Sequence, residues 1–200
     1  MYTYLALGDS YTIGDGVLLT QTWSYQAVQL LRSQGLPFTA PEIIARTGWT
    51  TDELDKAISG VRLLHPYDLV TLLIGVNNQY RGRSCEEYKG QFQTLLQRAI
   101  RFAGQDTRRV FVLSIPDWGV SPFAADRDKD AIARQIDEFN TAAAGIARQH
   151  QVAFIDITPH SRQQGQTFVA DGLHPSADQY RYWAEKLVEQ VTPRLSVNTI

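Results

Sequence analysis

The amino-acid sequence predicts an α/β fold: a three-layer α/β/α sandwich in which helices cover both faces of a five-stranded parallel sheet with strand order 2-1-3-4-5. Short apolar runs of strand length, rich in Val, Ile and Leu, recur along the chain. Segments with the helical spacing of apolar residues separate these runs. Because crossovers between parallel strands are right-handed, few topologies remain, and we select the flavodoxin-like strand order.

The predicted strands are the recurring apolar runs. Each has the length and composition of a strand that is buried on both faces of a parallel sheet. In chain order they are Tyr2–Leu7, Ile43–Ala45, Leu69–Ile74, Val110–Ser114 and Val152–Ile157. The chain contains no repeat, low-complexity segment or linker, so we expect its 200 residues to form one domain, 1–200.

Helices are predicted where apolar residues recur at three- and four-residue spacing. Thr50 with Glu53 predicts a capping box before the second helix. Ser84 with Glu87 predicts another before the third. Pro175 opens the last helix. In chain order the apolar faces run over Trp23–Leu31, Leu54–Val61, Tyr88–Ala99, Ile132–Ile146 and Tyr180–Val188.

The composition argues against several function classes. A net charge of −2 provides no basic field for a nucleic-acid backbone, so we expect no nucleic-acid partner. The longest apolar stretch, Leu69–Val76, is far shorter than the roughly 20 residues of a membrane span. The start, Met1–Leu7, lacks the cationic region and the long apolar core of a signal peptide, so we expect a cytoplasmic protein.

Cysteine and histidine usage argues against a metal centre. Cys85 is the only cysteine, which excludes an internal disulfide. No set of His, Asp and Glu has zinc-like spacing, so we expect no metal and no cofactor. His65, His150 and His160 lie in predicted loops or at a helix end, and none is expected to be catalytic.

In a sheet of this strand order, functional side chains lie past the carboxyl ends of the strands. Residues suited to acyl transfer follow those ends in four separate segments. They are Ser10 after the first strand, Gly48 after the second, Asn77 after the third, and Asp171 with His174 in the loop after the fifth. The parallel sheet therefore predicts that they meet at one edge.

Each residue type has a role in ester chemistry. A serine hydroxyl is a weak nucleophile until a base takes its proton, and His174 is a candidate base for Ser10. Asp171, three residues before the histidine, is placed to hold one ring nitrogen so that the other faces the serine. The candidate donors to the oxyanion are the backbone N–H groups of Ser10 and Gly48 and the side-chain amide of Asn77.

These segments resemble the sequence blocks of SGNH hydrolases, also called GDSL esterases and lipases. The first block is Gly8-Asp9-Ser10-Tyr11, the second is Gly48, the third is Gly75-Val76-Asn77-Asn78 and the last is Asp171-Gly172-Leu173-His174-Pro175. They occur in the family's order and span nearly the whole chain. Two positions depart from the usual pattern. Tyr11 replaces a leucine, and Asn78 replaces an aspartate beside the oxyanion asparagine.

The resemblance implies one SGNH-hydrolase-like domain with the three-layer fold. It also implies Ser10 as nucleophile, Asp171 and His174 as its triad partners, and Gly48 and Asn77 as oxyanion donors beside the Ser10 N–H. Aromatic and polar side chains in the strand-end loops are candidates to line the substrate site. They are Trp49, Asn78, Tyr80, Arg81 and Trp118.

The expected function is hydrolysis of a small carboxylic ester through an acyl-enzyme on Ser10. A short acyl group is expected, as in an acetylated sugar or a simple ester, because the polypeptide is small and has no lid-like amphipathic segment. Three alternatives stay open at this point: an acyltransferase on the same site, a lysophospholipase and a catalytically inactive carbohydrate-binding module. The sequence predicts no oligomeric state.

Overall fold

A computed structural model of the chain describes residues 1–64, 66–163 and 165–196. Within these ranges one sheet is formed by the strands β1 (Tyr4–Gly8), β2 (Glu42–Ala45), β3 (Leu69–Leu73), β4 (Val110–Leu113) and β5 (Ala153–Ile155). All neighbouring strands are parallel, in the order β2-β1-β3-β4-β5. The predicted strand order is confirmed.

The three central strands are buried along their whole length. Every residue of β1, β3 and β4 is inaccessible to solvent or nearly so. Their register pairs Leu5 with Val70, and Leu72 with Val112. Because side chains alternate between the two faces of a strand, burial of every position requires cover on both faces of the sheet.

Helices provide this cover in two groups. α2 packs against α8, while α5 packs against α3 and α6. Trp23 of α2 and Trp183 of α8 are fully buried in the hydrophobic core. In chain order the helices are α1 (Ser10–Ile13), α2 (Trp23–Ser33), α3 (Thr51–Ser59), α4 (Val76–Tyr80), α5 (Cys85–Phe102), α6 (Lys129–Gln149), α7 (Thr158–Ser161) and α8 (Ala177–Ser196).

The three short helices, α1, α4 and α7, were not predicted from the sequence. Each has only four or five residues, too few for an apolar face to repeat. Short 3₁₀ turns also occur in the connections, at Leu19–Gln21, Thr107–Arg109, Trp118–Val120 and Pro122–Ala124. α1 and α4 directly follow β1 and β3, so they carry residues of the carboxyl edge of the sheet.

One of the two predicted capping boxes forms only in part. The Thr50 N–H donates to Glu53 Oε2 at 2.9 Å, as predicted for α3. Ser84 Oγ accepts from the Glu87 N–H at 3.1 Å at the start of α5. The Glu87 carboxylate, however, pairs with Arg83 at 3.3 Å rather than with the Ser84 backbone. The nearby cation therefore takes the place of the reciprocal bond.

The limits of the first and last strands in chain order also differ from the prediction. β1 begins at Tyr4 because Tyr2 forms an isolated bridge with Phe38 outside the sheet. β5 has only three residues, since Asp156 Oδ1 accepts from the Ser114 hydroxyl and the Thr158 N–H and the chain turns there. Among the described residues, no helix is long and apolar enough to cross a membrane.

Candidate active site

Ser10 is the first residue of α1, at the carboxyl end of β1. Asp9 caps this helix, with its Oδ1 accepting from the Tyr11 N–H at 3.0 Å. The strand-to-helix turn is tight at Gly8, where a Cβ atom would lie 2.4 Å from the Leu73 carbonyl oxygen. Within the described residues, the Ser10 N–H has no hydrogen-bond acceptor, so it remains available to a ligand.

The loop before α8 joins Asp171 and His174 into one hydrogen-bonded unit. Asp171 Oδ1 accepts from the backbone N–H groups of Leu173 at 2.8 Å and His174 at 3.0 Å. Asp171 Oδ2 lies 2.5 Å from His174 Nδ1. The carboxylate thus fixes both the backbone and the ring, and it leaves Nε2 as the nitrogen open to other partners.

The ionisation of Asp171 follows from these contacts. Partial burial raises the pKa of the carboxyl. Hydrogen bonds from the His174 ring and from the His174 and Leu173 backbone outweigh burial, so the pKa of Asp171 lies below its usual range. Asp171 is therefore an anion at neutral pH and can hold a positive charge on the imidazole ring.

Gly48 lies in the loop after β2, in a left-handed conformation with φ of +83°. This backbone region is costly for residues with a Cβ atom, which accounts for glycine at this position. Its carbonyl oxygen accepts from Arg81 Nη2 at 2.6 Å. In the part of the chain that the structure describes, its N–H has no acceptor.

Asn77 and Asn78 are neighbours in α4, but their side chains have different partners. Asn77 Nδ2 donates to the Trp49 carbonyl oxygen at 3.0 Å, which ties Asn77 to the loop of Gly48. Asn78 is fully buried. Its Oδ1 accepts from the Thr51 N–H at 3.1 Å, and its Nδ2 donates to Thr51 Oγ1 at 2.7 Å. Asn78 therefore holds the start of α3.

A cavity of about 170 Å³ opens at this edge of the sheet. Ser10, Asn77 and His174 line it together, so three of the five predicted triad and oxyanion residues share one cavity. The rest of its lining is mostly apolar and aromatic. These residues are Tyr11, Val76, Tyr80, Trp118, Phe123 and Leu173.

Of the five predicted substrate-lining residues, Tyr80 and Trp118 line the cavity. Asn78, Trp49 and Arg81 do not line this cavity, and their side chains have other contacts. Asn78 is bonded to Thr51 in the interior. The Trp49 side chain packs against the hydrophobic core. Arg81 reaches back to the Gly48 carbonyl and, at 3.3 Å, to Glu53.

Several cavity residues were not predicted. Val76 and Leu173 directly neighbour predicted residues, and their apolar character was the available signal. Phe123 lies in a 3₁₀ turn and is 43% exposed, and its ring centroid lies 6.2 Å from that of Trp118.

Asp15, which lies near His174 but does not line the cavity, was also missed, although it lies between two glycines shortly after Ser10. Its carboxylate oxygen Oδ2 lies 3.8 Å from His174 Nε2.

His150 and His160 lie outside this cavity. His160 stacks on Tyr182 with 3.6 Å between ring centroids, and partial burial lowers its pKa. His150 caps the carboxyl end of α6. His65 lies outside the described residues.

Asp9 is the buried acid beneath the Ser10 turn. It is fully buried, and its Oδ2 has no hydrogen-bond partner among the described residues. Desolvation raises the pKa of Asp9 to about 7, against the opposing effect of the Tyr11 N–H and with a further rise from the charge of Asp15. The folded protein therefore binds a proton that the unfolded chain releases above about pH 4.

We expect this proton to make stability depend on pH. Because the pKa of Asp9 is higher in the folded than in the unfolded protein, protonated Asp9 favours the folded state. This contribution to the free energy of unfolding is fully present below about pH 4 and is lost as pH rises to about 7. Asparagine does not titrate, so the stability of Asp9→Asn relative to wild type should rise as pH increases from about 4 to about 7. The rise in the difference of unfolding free energy should be at most roughly 4 kcal/mol. Urea unfolding from pH 4 to 8 measures this, with the exposed Asp126→Asn as control. A pH-independent difference would contradict the assignment.

The fold and the residues at its carboxyl edge define a carboxylic ester hydrolase of the α/β class. The chain belongs to the GDSL-like Lipase/Acylhydrolase family, whose sequence model matches residues 6–182. Membership confirms the resemblance to GDSL esterases and lipases that the four sequence blocks predicted.

Solved structures of low sequence identity share the fold. TesA is 20% identical, with coverage of 96% of this chain and 99% of that chain and a TM-score of 0.76. A lipase/acylhydrolase from Enterococcus faecalis is 22% identical, covering 97% of each chain, with a TM-score of 0.74. The acetylxylan esterase Axe2 from Geobacillus stearothermophilus is 17% identical, covering 95% of this chain and 94% of that one, with a TM-score of 0.74. No curated protein sequence matches the chain.

Proposed function

We propose that the protein hydrolyses small carboxylic esters with a short acyl chain, through an acyl-enzyme on Ser10. One observation carries the proposal. His174 is held through Nδ1 by Asp171 at 2.5 Å, and its ring lines the same cavity as Ser10. A base with an ionised partner, beside a serine at the start of a helix, is the arrangement that activates a hydroxyl for acyl transfer.

In the acylation step, Ser10 Oγ attacks the carbonyl carbon of the ester and His174 Nε2 takes the hydroxyl proton. The carbonyl oxygen becomes an oxyanion. The bond from carbon to the alcohol oxygen then breaks, and that oxygen takes the proton from Nε2. The alcohol leaves, and the acyl group remains on Ser10. Asp171 stabilises the positively charged imidazole in both transfers.

In the deacylation step, water takes the place of the alcohol and releases the acyl group from Ser10. A water molecule attacks the acyl carbon while His174 Nε2 takes one of its protons. The bond to Ser10 Oγ breaks, and Oγ recovers the proton from Nε2. The products are a carboxylic acid and the original serine hydroxyl, so the cycle consumes one ester and one water.

Three donors are available to the oxyanion. The N–H groups of Ser10 and Gly48 have no acceptor within the described ranges. Asn77 Nδ2 carries two hydrogens, of which the Trp49 carbonyl takes one, so the other is left for a ligand in the cavity. Donors held in place before the substrate binds stabilise the transition state without reorganisation.

The cavity supports a short acyl chain. Its volume of about 170 Å³ is well below the roughly 300–1,000 Å³ of sites for drug-sized ligands. Val76, Trp118 and Leu173 provide apolar walls, which suit a few carbon atoms. The acetylxylan esterase with the same fold acts on an acetyl ester, and acetyl is such a group.

A series of p-nitrophenyl esters from acetate to palmitate tests the proposal. We expect kcat/KM to be highest at about two to six acyl carbons, because longer chains extend beyond the cavity into water. Leu173→Ala, which enlarges the cavity and keeps the N–H bonded to Asp171, should move the optimum to longer chains. An optimum at ten carbons or more, or a jump in rate above the micelle threshold, would instead favour a lysophospholipase or true lipase.

A further inference from the structure

A second carboxylate faces the open nitrogen of His174. Asp15 Oδ2 lies 3.8 Å from His174 Nε2, on the opposite side of the ring from Asp171. This distance is longer than a hydrogen bond, so the two atoms are neighbours without being bonded. Neither Asp15 nor its partner Thr47 lines the apolar cavity.

The position of Asp15 is set by both of the loops around it. Its N–H donates to the Ser10 carbonyl oxygen at 3.2 Å, after a left-handed turn at Gly14 with φ of +77°. Its Oδ2 accepts from the Thr47 hydroxyl at 2.5 Å, one residue before Gly48. The side chain is 30% exposed, and Oδ1 has no donor among the described residues.

We propose that Asp15 forms a subsite for the alcohol part of the ester and accepts hydrogen bonds from its free hydroxyl groups. The preferred substrate would then be a short-chain ester of a polyhydroxy alcohol, such as a glycerol or sugar acetate. This inference rests on the proposed function, because it uses His174 Nε2 as the atom that returns a proton to the leaving alcohol.

That proton transfer determines where the alcohol lies. The leaving oxygen must come within hydrogen-bond distance of His174 Nε2, about 3 Å, to take the proton. Asp15 Oδ2 lies 3.8 Å from the same nitrogen, so substituents next to the leaving oxygen come within reach of the Asp15 carboxylate. The apolar acyl chain occupies the cavity, which Asp15 does not line. The polar alcohol part of the ester lies on the side of Asp15.

The chemistry of a carboxylate determines which alcohols fit. An ionised Asp has acceptor oxygens and no donor, so it binds hydroxyl or ammonium groups and repels phosphate or carboxylate. Recognition of a quaternary ammonium uses aromatic faces. The aromatic residues Tyr80, Trp118 and Phe123 lie on the cavity side, whereas Asp15 has the Thr47 hydroxyl beside it. Hydroxyl groups are therefore the better match.

The test compares acetate esters that share one acyl group and differ in the alcohol: glycerol monoacetate, choline acetate and p-nitrophenyl acetate. Asp15→Asn keeps the size of the side chain and an oxygen for Thr47, and removes the charge. We expect it to lower kcat/KM for glycerol monoacetate about tenfold or more, mainly through KM, since a hydrogen bond to a charged group is lost. p-Nitrophenyl acetate, with no free hydroxyl, should lose several-fold less kcat/KM than glycerol monoacetate, and should do so through kcat without a rise in KM, because only the charge beside His174 Nε2 is lost.

Glu189→Gln serves as the matched control, because Glu189 is an exposed carboxylate paired with Lys186 on α8. Equal losses for glycerol and p-nitrophenyl acetates in Asp15→Asn would mean that Asp15 only positions His174 or Gly48, and would overturn the inference. A loss confined to choline acetate, or no loss, would also overturn it. If the wild type hydrolyses none of the three esters, the proposed function itself fails.

Discussion

Ser10→Ala is expected to lower kcat/KM for p-nitrophenyl acetate by at least about a thousandfold. Without the hydroxyl there is no atom to form the acyl-enzyme, and only the oxyanion donors and the cavity remain to assist water. His174→Ala should cause a similar loss, because Ser10 Oγ then has no base. Since the two groups act as a unit, the double variant should be little worse than either single one.

The controls for this prediction are chosen by residue type. Ser33 is an exposed serine of α2 and His150 lies at the end of α6, so Ser33→Ala and His150→Ala should keep wild-type activity. A fluorophosphonate probe should label the wild type at Ser10 and leave Ser10→Ala unlabelled. More than a tenth of wild-type activity in folded Ser10→Ala, or labelling elsewhere, would show that another residue is the nucleophile.

Asn77→Ala is expected to lower kcat by about 10²–10³, with little change in KM. The Asn77 amide is held by the Trp49 carbonyl at 3.0 Å and lines the cavity, so it is in place before the oxyanion develops. A donor that bonds mainly to the transition state affects kcat more than substrate binding. Steady-state kinetics with an ester of the preferred acyl length measures both parameters.

Asn78→Ala is the matched comparison for Asn77→Ala. Its side chain bonds to the Thr51 N–H and hydroxyl in the interior, so the substitution leaves buried groups unpaired at the start of α3. We expect a lower unfolding temperature and a clearly smaller loss of kcat than in Asn77→Ala. The reverse ranking of the two kcat values would place the oxyanion donor at Asn78.

Much of the fold followed from local patterns. The strand cores and the five longer helices were predicted because apolar periodicity reports burial directly, and the strand order was selected from the few topologies that right-handed crossovers allow. The short helices α1 and α4 were not, since no face repeats over four or five residues. The ends of β1 and β5 were misplaced because Tyr2 and Asp156 make bonds outside the sheet, and such bonds leave no periodic signal.

The difference between Asn77 and Asn78 could not be read from the sequence. Both are asparagines in the same block, yet successive side chains on a helix point about 100° apart. The left-handed turn at Gly75, with φ of +129°, sets the start of α4 and so decides which amide meets the Trp49 carbonyl. The orientation of a helix in space is a tertiary property.

Sequence alone determined the α/β class, the family and the candidate residues Ser10, Asp171 and His174, because strand ends and short motifs are local in the chain. Only the tertiary structure decided what surrounds those residues. The cavity walls come from segments far apart in sequence, and Asp15 reaches the ring of His174 through a loop that turns at Gly14. Contacts between distant segments depend on the packing of the whole chain, which no local pattern encodes.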